Sequence, residues 1–119
     1  MRRISSVESS MELFRKANQL IPGGTQLISR RPSRFAYGVS PVYADRALGS
    51  HIWDVDGNEY IDWVSDIGAV ILGYCDPVVD EAVKQEMERG VSFTLNHRLE
   101  VALAEALVDI IPCAEMTRY

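Results

Sequence analysis

Apolar residues at Leu13, Ala17, Leu20 and Ile21 recur in steps of three and four, which places them on one face of a helix. Two Ser-x-x-Glu pairs, Ser5 with Glu8 and Ser9 with Glu12, have capping-box spacing, and Pro22-Gly23-Gly24 stops the pattern, so a first helix is expected over about 9–20. No periodicity is sustained from Thr25 to Pro41, where Pro32, Gly38 and Pro41 punctuate a long ordered loop. Phe35 and Tyr37 make this loop too apolar for a flexible linker, and they are expected to pack.

The period then changes. His51–Val55 and Glu59–Val64 are rich in β-branched and aromatic residues and flank Asp56-Gly57-Asn58, the signature of a hairpin in which Gly57 or Asn58 takes a positive φ. Val42–Asp45 supplies a third strand, separated by Leu48-Gly49, and completes an antiparallel meander. After the apolar, glycine-rich stretch 67–73, Asp76 is placed to cap a helix with Pro77 at its first position. Val79, Ala82, Val83 and Met87 form its apolar stripe, and Gly90 is its terminator. A last helix starts near Asn96 or His97, carries Leu99, Leu103, Ala106, Leu107 and Ile110, and ends before Pro112. Met116–Tyr119 reads as the opening of a strand. Helix, meander and two further helices make the chain α+β.

Composition narrows the function classes. The 119 residues suit about one domain, and a formal net charge of −5 with no charged tail excludes a general affinity for nucleic acid. No run reaches the ~18 apolar residues of a membrane span. Cys75 and Cys113 belong to no CxxC pair or metal-ligand spacing and read as buried, reduced thiols, which places the protein in the cytoplasm. His51 and His97 have no metal-ligand companions, and Trp53 and Trp63 have the area of core or interface anchors. Lys16 and Lys84 are the only lysines, each on a helix pattern that suits a solvated charge.

Four segments in order carry a family resemblance: Leu20–Gly24; Gly49–Asp62 with its Trp-Asp-Val-Asp-Gly core; Ile71-Leu72-Gly73 leading to Asp76-Pro77; and Leu99–Glu105. Together they resemble the amino-terminal region of class III pyridoxal 5'-phosphate (PLP)-dependent aminotransferases, especially the glutamate-1-semialdehyde aminomutase branch. The resemblance implies that residues 1–112 are the amino-terminal segment of a fold type I transferase, with 113–119 beginning a large PLP-binding domain. It further implies a homodimer acting on a small amino donor and acceptor, with PLP held by a lysine absent from this chain. No catalytic, cofactor-binding or metal-binding residue is assigned here, and the chain alone is expected to be inactive. Arg30 or Arg31 corresponds to the arginine that grips a substrate carboxylate, while Ser65, Ile67 and Gly68 would line the substrate pocket; Phe93–Asn96 would reach the neighbouring subunit. Tyr74 and Asp76 stand where the family commonly has His, and Ile67 stands where aminomutases carry Trp, so aminotransferase and aminomutase reactions both stay open. The competing reading is a self-contained, non-catalytic dimerising α+β module.

Overall fold

The computed structural model describes residues 6–119. Helix α1 (Glu8–Leu20) is followed by three short 3-10 turns at Pro22–Gly24, Ile28–Arg30 and Pro32–Arg34. Strands β1 (Ala44–Leu48), β2 (His51–Asp54) and β3 (Glu59–Ile61) form an antiparallel sheet in the order β1-β2-β3. Helices α2 (Pro77–Met87) and α3 (Arg98–Ile110) complete the α+β architecture. Two units are distinguishable: one runs up to Asp80 and holds α1, the sheet and the first turn of α2, and the other runs from Glu81 to Tyr119.

Helix α1 begins one residue earlier than the sequence pattern indicates, and its cap comes from elsewhere. Ser9 lies inside the helix, and its N–H donates to Asp56 Oδ1 at 2.7 Å while the Ser10 N–H donates to Asp56 Oδ2 at 2.9 Å. A carboxylate from the hairpin turn, 46 and 47 residues away, therefore meets the helix end where the backbone leaves donors unsatisfied and the dipole favours an anion. The Glu8 N–H donates to Ser6 Oγ, and Ser5 lies outside the described residues. Capping by Asp56 takes the Ser9 N–H that a Ser9–Glu12 box would have used, because an ionised carboxylate is the stronger acceptor.

In the sheet, the expected first strand is displaced toward the C-terminus, because Leu48 is the last strand residue and Gly49-Ser50 makes the connection. The shift follows from cross-strand packing. Arg46 pairs with Trp53, and its guanidinium lies 3.7 Å from the indole centroid, while the His51 ring stacks with the same indole at a centroid distance of 5.9 Å. A bulge at Asp45 absorbs the extra residue between Ala44 and Arg46. The hairpin itself forms as expected, with Gly57 taking the positive φ of 82°.

Helix α2 has the expected cap, since the N–H groups of Val78 and Val79 both donate to Asp76 Oδ1 at 3.0 Å. In the second unit, the His97 N–H donates to Glu100 Oε1 at 2.7 Å at the start of α3, and Arg98 Nη2 reaches the Glu86 carboxylate at 2.7 Å. Phe93 stacks on His97 with ring centroids 4.7 Å apart. Met116–Tyr119 is irregular rather than a strand: a strand needs a hydrogen-bonded neighbour, and here the Tyr119 hydroxyl donates instead to the Glu100 carbonyl.

Burial is sparse. Val7, Ser10, Gly24, Pro32 and Asp54 are buried among the described residues, whereas the apolar stripes of α2 and α3 stay open, with Val83, Met87, Leu99 and Leu103 all exposed. Trp63 is 88% exposed, so it is not a core anchor within this chain. Phe35 and Tyr37 are also exposed, and so are Cys75 and Cys113, contrary to the buried positions expected from their residue types. The reason is common to all of them: no apolar surface among the described residues covers these positions, and residue type alone cannot supply one.

Candidate functional site

The first unit gathers two of the sequence-selected segments into one place. Arg30 ends a 3-10 turn in the long loop, and Ser65–Gly68 forms another turn after the sheet. Across 36 residues of sequence, Arg30 Nη2 donates to Asp66 Oδ1 at 2.8 Å. Arg30 is thereby held at the Ser65–Gly68 turn. Arg31 is not: its guanidinium lies over Gly23, so close that a Cβ there would sit 2.5 Å from Nη2. Of the two arginines, Arg30 is therefore the one in contact with the Ser65–Gly68 turn.

The Ser65–Gly68 turn has an unusual backbone. Ser65, Asp66, Ile67 and Gly68 have φ values of 47°, 48°, 60° and 89°, four left-handed residues in succession. Each L-residue pays roughly 1–2 kcal/mol for crowding between Cβ and the following carbonyl oxygen. Ile67 is β-branched, the least tolerant type there, and its side chain is 88% exposed, so burial does not compensate. What anchors the turn is Asp62: its Oδ1 accepts from the N–H groups of Val64 (2.9 Å) and Ser65 (3.2 Å), and its Oδ2 accepts from the Tyr74 hydroxyl at 2.6 Å.

This network shifts both partners. The Tyr74 hydroxyl bond and the Val64 N–H hold the Asp62 carboxyl below its ordinary value despite partial burial. The same bond to Asp62, with burial and the nearby carboxylate charge, pushes the Tyr74 phenol up to about 12. Tyr74 reaches Asp62 because its backbone bridges Gly49: the Gly49 N–H donates to the Tyr74 carbonyl and the Tyr74 N–H to the Gly49 carbonyl, at 2.9 and 2.8 Å. A side chain at Gly73 would lie 3.1 Å from the Gly49 backbone, so glycine there permits the approach. A cavity of about 240 Å³ lies beside this bridge, lined by Ser50, Asp62, Ser65 and Tyr74 with the apolar 70–72 segment.

A larger cavity of about 550 Å³ lies between α1 and the following loop, lined by Leu13, Phe14, Leu20, Ile21 and Tyr43 with Lys16 and Arg30. Arg30 thus borders both the apolar cavity and the strained turn. Asp62, Asp66 and Tyr74 are the participants that spacing did not select. Asp66 lies inside the Ser65–Gly68 segment, but the opposite charge 36 residues away leaves no periodic trace.

Fit to PLP can be judged from the lysines. Lys84 is exposed on α2, and Lys16 is exposed at the larger cavity, whose lining includes no carboxylate to meet a pyridine nitrogen. The described residues do not fit the cofactor. No metal-binding group of three or more His, Cys, Asp or Glu residues occurs among them, and no helix there is long and apolar enough to cross a membrane.

Comparison with known proteins then decides the family, because the Aminotransferase class-III profile matches residues 34–119. The chain belongs to the class-III aminotransferase family. It is 41% identical over 109 residues to glutamate-1-semialdehyde 2,1-aminomutase 2 of Exiguobacterium sp. (strain ATCC BAA-1283 / AT1b), covering 92% of this chain and 25% of that protein. It is 42% identical over 108 residues to 3-aminobutyryl-CoA aminotransferase of Cloacimonas acidaminovorans (strain Evry), covering 90% and 26%. Among solved structures, the PLP internal aldimine form of the FumI protein of Sphingopyxis sp. MTA144 superposes with a TM-score of 0.79 at 31% identity, over 90% of this chain and 25% of that one. The class-III chain described here spans about a quarter of the length of the curated relatives it matches. The α+β arrangement of helix, meander and helices is the one these transaminases share with it.

Proposed function

We propose that this chain is the amino-terminal, substrate-gripping part of a PLP-dependent aminotransferase or aminomutase, which moves an amino group between an amino acid or amino-aldehyde and a keto compound. The observation that carries this reading is the meeting of Arg30 with the Ser65–Gly68 turn beside an apolar cavity. A guanidinium offers parallel N–H donors that match a carboxylate, and the strained turn forms the adjoining wall. In this reading Ser65, Ile67 and Gly68 shape the pocket, and Arg31 has no part in it.

PLP supplies the electron sink when bound. Its lysine, the acidic partner of its ring nitrogen and its phosphate cup come from outside these residues, with 113–119 leading into the large domain. Exposed stripes on α2 and α3 support burial against further chain or a second subunit of a homodimer. The exposed free thiols at Cys75 and Cys113 are compatible with the reducing cytoplasm.

The test has two arms. Incubated with PLP and an amino donor, the 119-residue chain is expected to yield no Schiff-base absorbance and no keto product, and amino transfer by this chain unaided would overturn the reading. In a reading frame that also supplies the lysine, Arg30→Ala is expected to raise KM for a carboxylate substrate roughly tenfold or more, the loss of a charged hydrogen bond, while Arg31→Ala leaves it near wild type. Equal effects of the two substitutions would remove Arg30 from the pocket.

A further inference from the structure

The Arg30 contact permits one step beyond the proposed function, and it rests on that reading. The guanidinium that would grip a substrate carboxylate already holds one, because Asp66 Oδ1 lies 2.8 Å from Nη2. The pair is not buried: the two side chains are 63% and 50% exposed, so both are accessible to solvent and to a small anion. Asp66 is also carried by the strained turn itself, with φ 48° and ψ 42°, which aims its carboxylate from the proposed pocket wall.

The local charge balance runs against an incoming anion. The guanidinium contacts one carboxylate, Asp66, and a second, Asp62, accepts from the Tyr74 hydroxyl, which lies within the electrostatic reach of Arg30, Asp62 and Asp66 together. Exposed ion pairs contribute about 0.2–1 kcal/mol, so such a pair hardly serves folding but still has to be broken before Arg30 can turn to another carboxylate.

We propose that Asp66 is a specificity-determining residue: a resident carboxylate that competes with the substrate's carboxylate for Arg30 and weakens binding of strongly anionic substrates. A bidentate substrate carboxylate displaces the single contact of Asp66, whereas a substrate with a second negative charge near the turn also meets Asp66 and Asp62.

The test titrates acetate, and then the dicarboxylate glutarate, into the wild-type chain and its Asp66→Asn, Asp66→Ser and Arg30→Ala variants, following the Arg30 Nε–H resonance or, for Arg30→Ala, the Ser65 and Ile67 amides. Asp66→Asn and Asp66→Ser are expected to bind acetate about two- to fivefold more tightly than wild type, with a larger gain for glutarate and an unchanged melting temperature. Equal or weaker acetate binding in both Asp66 variants would overturn the competition. Acetate binding that survives Arg30→Ala would overturn it too, by removing the Arg30 reading beneath it. Loss of binding in Arg30→Ala with no gain in the Asp66 variants would sink the role of Asp66 alone.

Discussion

The two turns that flank β3 are built on opposite terms. At the hairpin, Asp54 is buried and its carboxylate accepts from the Asp56 and Asn58 N–H groups, the Asn58 side-chain amide and the Tyr60 hydroxyl, at 2.8–3.0 Å. Glycine takes the one positive φ, and the next carboxylate along, Asp56, caps α1. At Ser65–Gly68, four residues in succession are left-handed, an isoleucine among them is exposed, and the one carboxylate within the turn is turned outward to Arg30. The first turn spends its polar groups on its own fold. The second holds backbone strain and an accessible ion pair instead.

The comparison breaks most easily at Asp54. Asp54→Ala leaves two backbone donors and a phenol without their acceptor, while the Asn58 side-chain amide keeps its bond to the Ser6 carbonyl, and is expected to destabilise the chain by about 3 kcal/mol in chemical denaturation. A loss under about 1 kcal/mol would mean that the hairpin is not organised by this carboxylate. Asp56→Ala should remove about 1 kcal/mol, felt chiefly as faster amide exchange at the start of α1, and Asp56→Asn should retain most of the cap. Uniform exchange along α1 in the alanine variant would contradict capping from the hairpin.

At the other turn the sign reverses. Ile67→Gly is expected to stabilise by about 1 kcal/mol, because relief of left-handed strain exceeds the added freedom of the unfolded chain. Destabilisation by this substitution would show that the isoleucine makes compensating contacts.

The smallest separation is expected from pH, since the groups concerned are partly screened by solvent. Burial alone would raise the Asp56 carboxyl, but the N–H groups of Ser10 and Ser9 outweigh it and hold it below its ordinary 3.8, as the Tyr74 hydroxyl does for Asp62. Both carboxylates therefore contribute stability above pH about 4 that is lost as the pH falls through their folded values. Tyr60 is pushed up to about 12 by burial and its bond to Asp54, and Tyr74 to about 12 by its bond to Asp62. Their contribution is present below pH about 10 and declines as the pH rises toward 12, because the unfolded phenols ionise first. A melting curve flat from pH 9 to 12, followed by circular dichroism, would count against both tyrosine bonds.

Legibility followed the range of the signal. The ends of α2 and α3, the Asp76 cap and the Gly57 turn were readable because each rests on residues within four positions of one another. The Ser9–Glu12 box gave way to a cap that no local pattern shows, because the acceptor of the Ser9 and Ser10 N–H groups, Asp56, lies 46 and 47 residues away. The first strand was misplaced for a similar reason: Arg46 stays in the sheet by stacking on Trp53, a cross-strand contact with no local pattern. Of the candidate site, Ser65, Ile67, Gly68 and the arginine pair were named through family resemblance, while the contact of Arg30 with Asp66, which Arg31 does not share, needed the fold.

The amino-acid sequence by itself determined the alternation of helix and meander, the class-III signature and the absence of a third lysine, since these depend on short-range stereochemistry and residue identity. Only the tertiary structure decided which carboxylate serves which partner: Asp54 the hairpin, Asp56 the helix, Asp62 the tyrosine and Asp66 the arginine. Four aspartates within thirteen positions are chemically alike along the chain, and they acquire different tasks because folding brings a different donor to each.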